Sequence, residues 1–209
     1  MRSLLNTQTK TIGKTMPFAW NARPFFYLTA LAGILLFTAC KKYAATEPST
    51  EEAKSARDNS ANQEFINGNA ALPAQTIAEL FQVRAATANY MDTTAAKAAG
   101  YENTGIQLPN MGLHFVNGGF LNDGKFNLSE PEFLVFNKNP NGKFELVAVE
   151  FALPIDAEHP DEAHPPTGFT GDADVWDFRT LGLPIWTLHA WIWKTNPDGV
   201  FTMMNPIVP

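Results

Sequence analysis

Four ionisable side chains each stand alone in an apolar, alternating stretch, and they are the residues best suited to chemistry. They are His114 in GLHFV, Glu132 in PEFLVF, Glu150 in LVAVEFA and His189 in TLHAWIW. Burying a charged group is costly unless the group is paired or ligates a metal. Because four separate strands would each carry one such group, we expect several of them to meet in a shared pocket.

Two histidines with a carboxylate form a donor set that a divalent transition metal accepts, so His114, Glu150 and His189 are the predicted metal ligands. Trp191 falls on the same strand face as His189 and is expected to wall the pocket. The sequence has no H-x-H or H-E-x-x-H spacing, so it favours a hydrogen-bonded His–Glu pair over ligation. A third interpretation is a hydrolase that uses Glu150 and His189 as acid and base. No G-x-S-x-G motif or cysteine nucleophile accompanies that pair.

Three further groups of residues carry weaker signals. A long loop over residues 154–183 holds two histidines among acids, which is more typical of a solvated loop than of a metal site. A run of aspartates follows, without the glycine and terminal glutamate of a calcium loop. Four tryptophans suggest either core packing or a stacking platform for a sugar or aromatic ligand. The three groups are Asp156, Glu158, His159, Asp161, Glu162 and His164; Asp172, Asp174 and Asp177; and Trp176, Trp186, Trp191 and Trp193.

The elements that must position these side chains change character at Gly100. Before it, residues 73–99 repeat apolar side chains at three- and four-residue steps, which predicts one amphipathic helix of about 26 residues. After it, alternation predicts strands at 111–117, 131–138 and 143–153, with Asn139-Pro140-Asn141-Gly142 as a hairpin turn. A second hairpin is predicted over 185–204, turning at 196–199.

This order of elements predicts an α+β domain at residues 73–209. One long amphipathic helix would pack on a mostly antiparallel sheet of about five or more strands. A partly closed barrel is the alternative, because the number of strands does not decide closure.

The N-terminus has the features of an export signal. Residues 1–40 contain four basic residues and no acid. The last of the four basic residues is followed by an apolar run of ~13 residues, which is too short to span a bilayer. The run ends in Phe37-Thr38-Ala39-Cys40, which resembles a bacterial lipobox. We therefore expect a lipid on Cys40, which would hold the protein to a membrane facing the periplasm or the cell exterior. An uncleaved anchor helix is the alternative, and translation begins at Met1 or Met16.

Composition after processing excludes one class of partner. Loss of residues 1–40 leaves 11 of the 15 basic residues against 21 acidic ones, a formal charge of −10. Nucleic acid is not an expected partner, because phosphate binding needs clustered Lys and Arg. Residues 41–72 contain few large apolar side chains and are predicted to be a disordered tether.

Several short motifs recur in an order that resembles a family of uncharacterised exported bacterial proteins. They are MGLHFVN at 111–117, Pro131-Glu132, LVAVEF at 146–151, LHAWIW at 188–193, NPDGVF at 196–201 and Asn205-Pro206, preceded by Ala98-Ala99-Gly100-Tyr101. The resemblance covers about residues 75–207. It implies that His114, Glu132, Glu150 and His189 sit inside recurring motifs, and it brings no activity with it.

Together these observations predict a lipid-anchored domain that binds a small ligand or a divalent transition metal in a His/Glu pocket. A hydrolase-type enzyme and a structural lipoprotein without ligand are the alternatives.

Overall fold

The computed structural model describes residues 50–209. Contacts group the described residues into one compact unit. The predicted signal peptide, Cys40 and the start of the tether lie outside the described residues. Within the part of the chain that is described, no helix combines the length and apolarity needed to cross a bilayer.

The domain is built on a six-stranded antiparallel sheet with a few helices, which confirms the α+β class. The strands follow the order β1-β2-β3-β4-β6-β5. They are β1 (Glu102–Leu108), β2 (Gly112–Val116), β3 (Phe133–Lys138), β4 (Phe144–Pro154), β5 (Asp177–Phe178) and β6 (Ile185–Ala190). The first and last strands in that order are edges, so the sheet is open and the barrel alternative is wrong.

The hairpin of β3 and β4 confirms the strongest turn signal in the sequence. Asn139 N donates to Lys143 O at 2.9 Å, and Gly142 N donates to Asn139 O at 2.8 Å. The Asn139 side chain accepts from the backbone N–H groups of Asn141 and Lys143, both at 3.0 Å. Gly142 adopts a φ of 76°, which glycine tolerates at no steric cost.

The second predicted hairpin is wrong in its returning arm. β6 ends at Ala190, and residues 191–204 contain no strand. The turn itself forms, since Gly199 N donates to Asn196 O at 3.2 Å, and Trp191 N donates to Val200 O at 2.9 Å. The Asn196 side chain instead donates to Thr202 Oγ1 at 2.7 Å and to Met204 O at 2.9 Å. These side-chain bonds satisfy the backbone locally, which competes with strand pairing.

The predicted long helix is also wrong, because it is divided into pieces. Helix α2 spans Ala74–Thr87, a 3₁₀ turn spans Ala88–Tyr90, and helix α3 spans Thr93–Ala98. Asp92 is extended and its carboxylate accepts from Thr94 N at 2.8 Å and from Ala95 N at 3.0 Å. An aspartate at the N-cap favours the start of a new helix. The apolar periodicity of the sequence continues across this break and therefore does not reveal it.

Residues 50–72 are not the disordered tether that composition predicted. Thr50–Gly68 forms helix α1, whose faces are largely polar. Phe65 anchors it, being buried and packed edge-on against Phe81 at 5.5 Å between ring centroids. The Arg84 guanidinium lies over the Phe65 ring at 4.9 Å. One aromatic side chain therefore attaches a stretch that overall polarity alone assigned to disorder.

The sheet presents two different faces. One packs into the main apolar core together with Leu80 and Val83 of α2. Its strand residues in that core are Leu113, Phe115, Leu134, Phe136, Leu146, Val149, Phe151, Leu188 and Ala190. The opposite face carries the alternate residues of the same strands. We call these the helix-covered face and the polar face.

Candidate metal centre

The polar face brings together three of the predicted residues from three different strands. In the sheet register Phe133 pairs with Glu150, and Glu150 pairs with His189. His114 on β2 pairs with Val135 on β3, one step along the same face as Phe133. Side chains at i and i+2 share a face. Strands β2, β4 and β6 therefore each contribute one polar side chain, His114, Glu150 and His189, to the same face of the sheet.

The donor atoms of His114, Glu150 and His189 form a compact group. The distance from His114 Nε2 to His189 Nε2 is 3.4 Å, and that from His114 Nε2 to Glu150 Oε2 is 3.5 Å. His189 Nδ1 lies 3.6 Å from Glu150 Oε1. One donor atom from each residue fits within 4.8 Å of the other two, and this is the one such trio of His, Cys, Asp or Glu among the described residues.

All three side chains are removed from water. His189 is 0% exposed, and His114 and Glu150 are each 4% exposed. Burial raises the pKa of Glu150, and the nearby His114 and Thr187 side chains oppose that rise. Burial lowers the pKa of His189 to about 4 and also lowers the pKa of His114, which Glu150 partly restores. Both imidazoles are therefore neutral at pH 7, the form in which a histidine ligates a metal.

The hydrogen bonding of the trio is incomplete. His114 Nδ1 and His189 Nδ1 are buried and have no hydrogen-bond partner. Buried polar groups in folded proteins nearly always have one. Trp191 stacks on the His189 ring, with centroids 5.9 Å apart and planes at 15°. Trp191 thus walls the group, although it lies just beyond the end of β6.

A cavity of about 30 Å³ opens beside two of the three residues, His114 and Glu150. Its volume is close to the share of one water molecule in the liquid. Besides His114 and Glu150 it is lined by Ile106, Met111, Phe133, Thr180, Leu181, Leu183, Ile185 and Thr187. None of these described residues is basic.

A turn after β5 covers this cavity, and sequence reasoning missed it. Arg179 and Leu181 adopt positive φ angles of 56° and 54°, followed by Gly182 at 76°. The Thr180 and Thr187 hydroxyls are 2.6 Å apart and join the turn to β6. No periodicity marks such a turn, and left-handed backbone at Arg179 and Leu181 contradicts residue preference. Thr187 itself was visible in the sequence, since it shares the strand parity of His189.

Glu132 is not part of the trio. It precedes β3, and strand alternation directs it away from Glu150. Its Oε2 accepts from Ala152 N at 2.9 Å, while its Oε1 is buried without a partner. Burial raises the pKa of Glu132 to about 8. The prediction that this residue joins the pocket is therefore wrong.

The loop histidines do not assemble a comparable group. His164 Nδ1 lies 2.7 Å from Asp161 Oδ1, and both side chains are largely exposed. His159 Nδ1 faces the His164 carbonyl oxygen at 3.2 Å. These are contacts within a solvated loop, which agrees with the preferred interpretation of the sequence.

A larger cavity of about 750 Å³ lies elsewhere and contains no histidine. Trp176, Trp186 and the aspartates 172, 174 and 177 are among its lining residues. Asp174 Oδ2 accepts from Phe169 N at 2.7 Å, and burial raises the pKa of Asp174 to about 6. The four tryptophans do not form one platform, because Trp193 donates to Thr87 Oγ1 at 3.0 Å and holds Arg84 at 4.7 Å from its ring.

In comparisons with known proteins, no family model, no curated protein and no solved structure matches the chain.

Proposed function

We propose that this chain is an exported, lipid-anchored envelope protein whose folded domain binds a divalent transition-metal ion through His114, Glu150 and His189. The observation that carries the proposal is the spacing of the donor atoms. Ligands 2.0–2.1 Å from a tetrahedral metal are about 3.4 Å from one another. The separations of 3.4 and 3.5 Å around His114 Nε2 match that edge.

The same separations argue against a purely structural hydrogen-bonded arrangement. A good N–H···O bond measures about 2.9 Å, and a contact of 3.6 Å is not one. The two imidazoles make one long hydrogen bond through their Nε2 atoms, at 3.4 Å, whereas Glu150 lies 3.5 and 3.6 Å from them and forms no hydrogen bond with either. We therefore favour metal ligation over the hydrogen-bonded His–Glu pair that the absence of an H-x-H or H-E-x-x-H spacing indicated.

The electrostatics of the site also favour a cation. Glu150 is buried, and no Lys or Arg lines the cavity among the described residues. A divalent ion would stabilise the carboxylate form that burial disfavours. Metal binding should therefore lower the pKa of Glu150 from its raised value, while the two neutral imidazoles have no proton to lose.

Metal analysis of the full chain in detergent tests the proposal. We expect about one equivalent of zinc or cobalt per chain, and its loss in His114→Ala, His189→Ala and the double variant. His159→Ala and His164→Ala are matched controls, because they remove exposed histidines. Equal metal content in all of these variants would refute the site. No metal in the wild type, with no effect of divalent ions on thermal stability, would favour the structural lipoprotein.

An acid/base enzyme is a second candidate, and one contact favours it. His189 Nδ1 and Glu150 Oε1 are 3.6 Å apart, close enough to tighten around a substrate. Glu150→Gln would then abolish turnover without unfolding the domain. Retention of a measured hydrolytic activity by that variant would eliminate this candidate.

We also propose that a lipid on Cys40 anchors the chain to a membrane and that the chain belongs to the exported family that its ordered motifs resemble. The lipobox at Phe37-Thr38-Ala39-Cys40 supports the anchor. Cys40→Ser should release the protein from membranes into the soluble fraction. Continued membrane retention of that variant would refute lipidation.

A further inference from the structure

We propose that the larger cavity of the domain binds an aliphatic diamine, a short carbon chain with an ammonium group at each end. The cavity is lined by residues drawn from 162–178 and by Trp186, and we call it the β5 groove. It shares no residue with the trio of His114, Glu150 and His189, so the inference does not depend on the metal site. Three observations carry it: the size of the groove, the unpaired negative charge of its lining and the aromatic rings that complete it.

The β5 groove has room for a whole small molecule, and its walls are held in place. Its volume of about 750 Å³ lies within the range of about 300–1,000 Å³ that is typical of ligand pockets. The loop that forms it is tied to helix α2 at Thr170. The Glu79 carboxylate accepts from Thr170 N at 2.7 Å and from Thr170 Oγ1 at 2.6 Å, and Thr76 Oγ1 donates to Thr170 O at 2.5 Å. Walls fixed in this way reduce the entropy that a ligand must lose on binding.

The lining of the β5 groove is acidic and has no counter-charge. None of its residues is Lys, Arg or His, and four are acidic: Glu162, Asp172, Asp174 and Asp177. Among the described residues, the ion pairs that form involve other carboxylates, so these four have no basic partner. Arg179 follows Asp177 closely in the chain, but its guanidinium lies over the Phe178 ring at 5.2 Å and is not part of the lining. A positively charged ligand would therefore relieve repulsion among the carboxylates.

Two of the four carboxyl groups are half-buried and incompletely bonded. Asp174 Oδ1 and Asp177 Oδ2 are buried without a hydrogen-bond partner, which is rare for polar groups in folded proteins. Burial raises the pKa of each to about 6, and nearby carboxyl groups add to the rise, Glu79 for Asp174 and Glu150 for Asp177. Both groups are still mainly ionised at pH 7. A dication would stabilise both charges, whereas a monocation would stabilise one.

Aromatic rings supply the apolar part of the lining. Trp176, Phe178 and Trp186 belong to it, and the Phe178 and Trp186 rings pack 4.8 Å apart. Trp186 Nε1 already donates to His159 O at 2.9 Å, so Trp186 needs no hydrogen bond from a ligand. Methylene groups pack on such rings, and an ammonium group is attracted to a tryptophan face.

This combination of charge and rings separates a diamine from two other classes of ligand. A sugar would stack on the rings but leave the carboxylate charges without a counter-ion. A bare divalent cation would neutralise two carboxylates but leave the rings and most of the volume unused. An aliphatic diamine matches both features.

Calorimetric titration of the metal-free full chain in detergent at pH 7 tests the inference, because no metal is then present to bind an amine. The probes are diaminobutane, butylamine and butanediol, which share a four-carbon chain and carry their polar groups at its ends. Each ammonium group should contribute about tenfold in affinity, a value typical of a charged hydrogen bond. We therefore expect butylamine to bind about tenfold, and butanediol about a hundredfold, more weakly than diaminobutane. Equal affinity for diaminobutane and butanediol would overturn the inference.

Variants locate the binding site. Asp174→Asn and Asp177→Asn each remove one charge with little change in shape and should weaken diaminobutane binding about tenfold. Two variants are used so that misfolding of one leaves the other to decide. Trp176→Leu should weaken binding by about threefold through loss of the ring. Asp198→Asn is the matched control, since Asp198 is exposed and does not line the groove, and it should bind as the wild type.

Three results would overturn the inference and leave the metal site untouched. The first is a wild type that does not bind diaminobutane. The second is an unchanged affinity for diaminobutane in both aspartate variants. The third is binding of maltose or of calcium in place of diaminobutane, which would assign the groove to a sugar or to an ion.

Discussion

The two faces of the sheet are made from the same strands but bury different kinds of side chain. On the helix-covered face, strand residues such as Phe151 and Leu188 are 0% exposed and pack against other apolar groups. On the polar face, Glu150 and His189 are equally dry but have no full-strength hydrogen bonds to each other. The helix-covered face gains free energy from burial, whereas the polar face combines a smaller buried apolar cluster, which includes Val135 and Ala148, with a trio whose burial costs free energy.

The difference shows how the fold supports a costly site. Dry apolar packing contributes roughly 25 cal/mol for each Å² removed from water. Buried ionisable groups work against this, because their charged forms lose solvation. Ligand binding at the trio would offset this cost. If this comparison holds, substitutions on the two faces should separate stability from binding.

The largest effect is expected on the helix-covered face. Phe151→Ala should lower the free energy of unfolding by about 3–5 kcal/mol, the cost typical of removing a buried phenylalanine. Its ring packs against Phe126 at 4.6 Å and Phe169 at 5.7 Å. Urea denaturation of the metal-free protein measures the loss. Phe144→Ala, at a half-buried strand end, should cost clearly less. Equal losses in both variants would contradict the view that stability resides in this face.

A buried acid outside the trio gives the next effect, and it depends on pH. The folded pKa of Glu132, about 8, lies above its ordinary value of 4.5. Between these values the folded state keeps a proton that the unfolded state has lost, so Glu132 lowers stability as pH rises. Glu132→Gln should therefore stabilise the domain by about 4 kcal/mol at pH 8 and change little at pH 4.5.

Denaturation curves across that pH range check the result. Gln keeps an oxygen that can accept from Ala152 N, so the existing hydrogen bond survives. Glu102→Gln on the exposed edge strand is the matched control. A stabilisation by Glu132→Gln that is the same at both pH values would show that the carboxyl is already ionised in the fold.

On the polar face, metal binding should raise the free energy of unfolding, and a substitution at Glu150 should abolish that rise. A metal at one hundred times its dissociation constant should raise the free energy of unfolding by about 2.7 kcal/mol. Glu150→Gln should remove this gain, yet leave the metal-free protein at least as stable at pH 7, because burial raises the pKa of Glu150. Thermal unfolding with and without zinc measures both effects, and His164→Ala should behave as the wild type. A metal-free Glu150→Gln protein that is much less stable would assign Glu150 a structural role.

The smallest effect concerns the residue that begins β2 and thereby places His114. Gly112 has a φ of 80°, and an added Cβ would lie 2.8 Å from the Phe136 carbonyl oxygen. Gly112→Ala should cost about 2 kcal/mol, part of it from the positive φ and part from the close approach. Gly142→Ala has a similar φ of 76° with nothing within 4 Å, and should cost about 1 kcal/mol. Chemical denaturation of the two variants isolates the steric part, and equal costs would exclude it.

Local chemistry decided which parts of the fold the sequence predicted. Alternation of apolar and polar residues predicted β2, β3 and β4, and the Asn-Pro-Asn-Gly turn predicted the hairpin of β3 and β4. Both signals are contained within a few consecutive residues. The break at Asp92 and the attachment of α1 by Phe65 depended on single side chains within a longer pattern that pointed elsewhere. The returning arm after Trp193 failed because Asn196 satisfies backbone groups that pairing would have used.

The candidate site divides in the same way. Parity along β2, β4 and β6 was sufficient to propose that His114, Glu150 and His189 meet. It was not sufficient for Glu132, whose position depends on where β3 begins. The sequence did not predict the covering turn, because its shape depends on the Thr180–Thr187 contact and not on the conformational preferences of its own residues.

The strand order also sets when the donor atoms can come together during folding. β1 to β4 are neighbours both in the chain and in the sheet and are joined by connections of three, sixteen and five residues, whereas β6 joins β4 only after a connection of about thirty residues. Contacts that close longer loops form later on average. A nascent chain would thus hold His114 and Glu150 near each other well before His189 arrives, and capture of an ion would mark the completion of the fold.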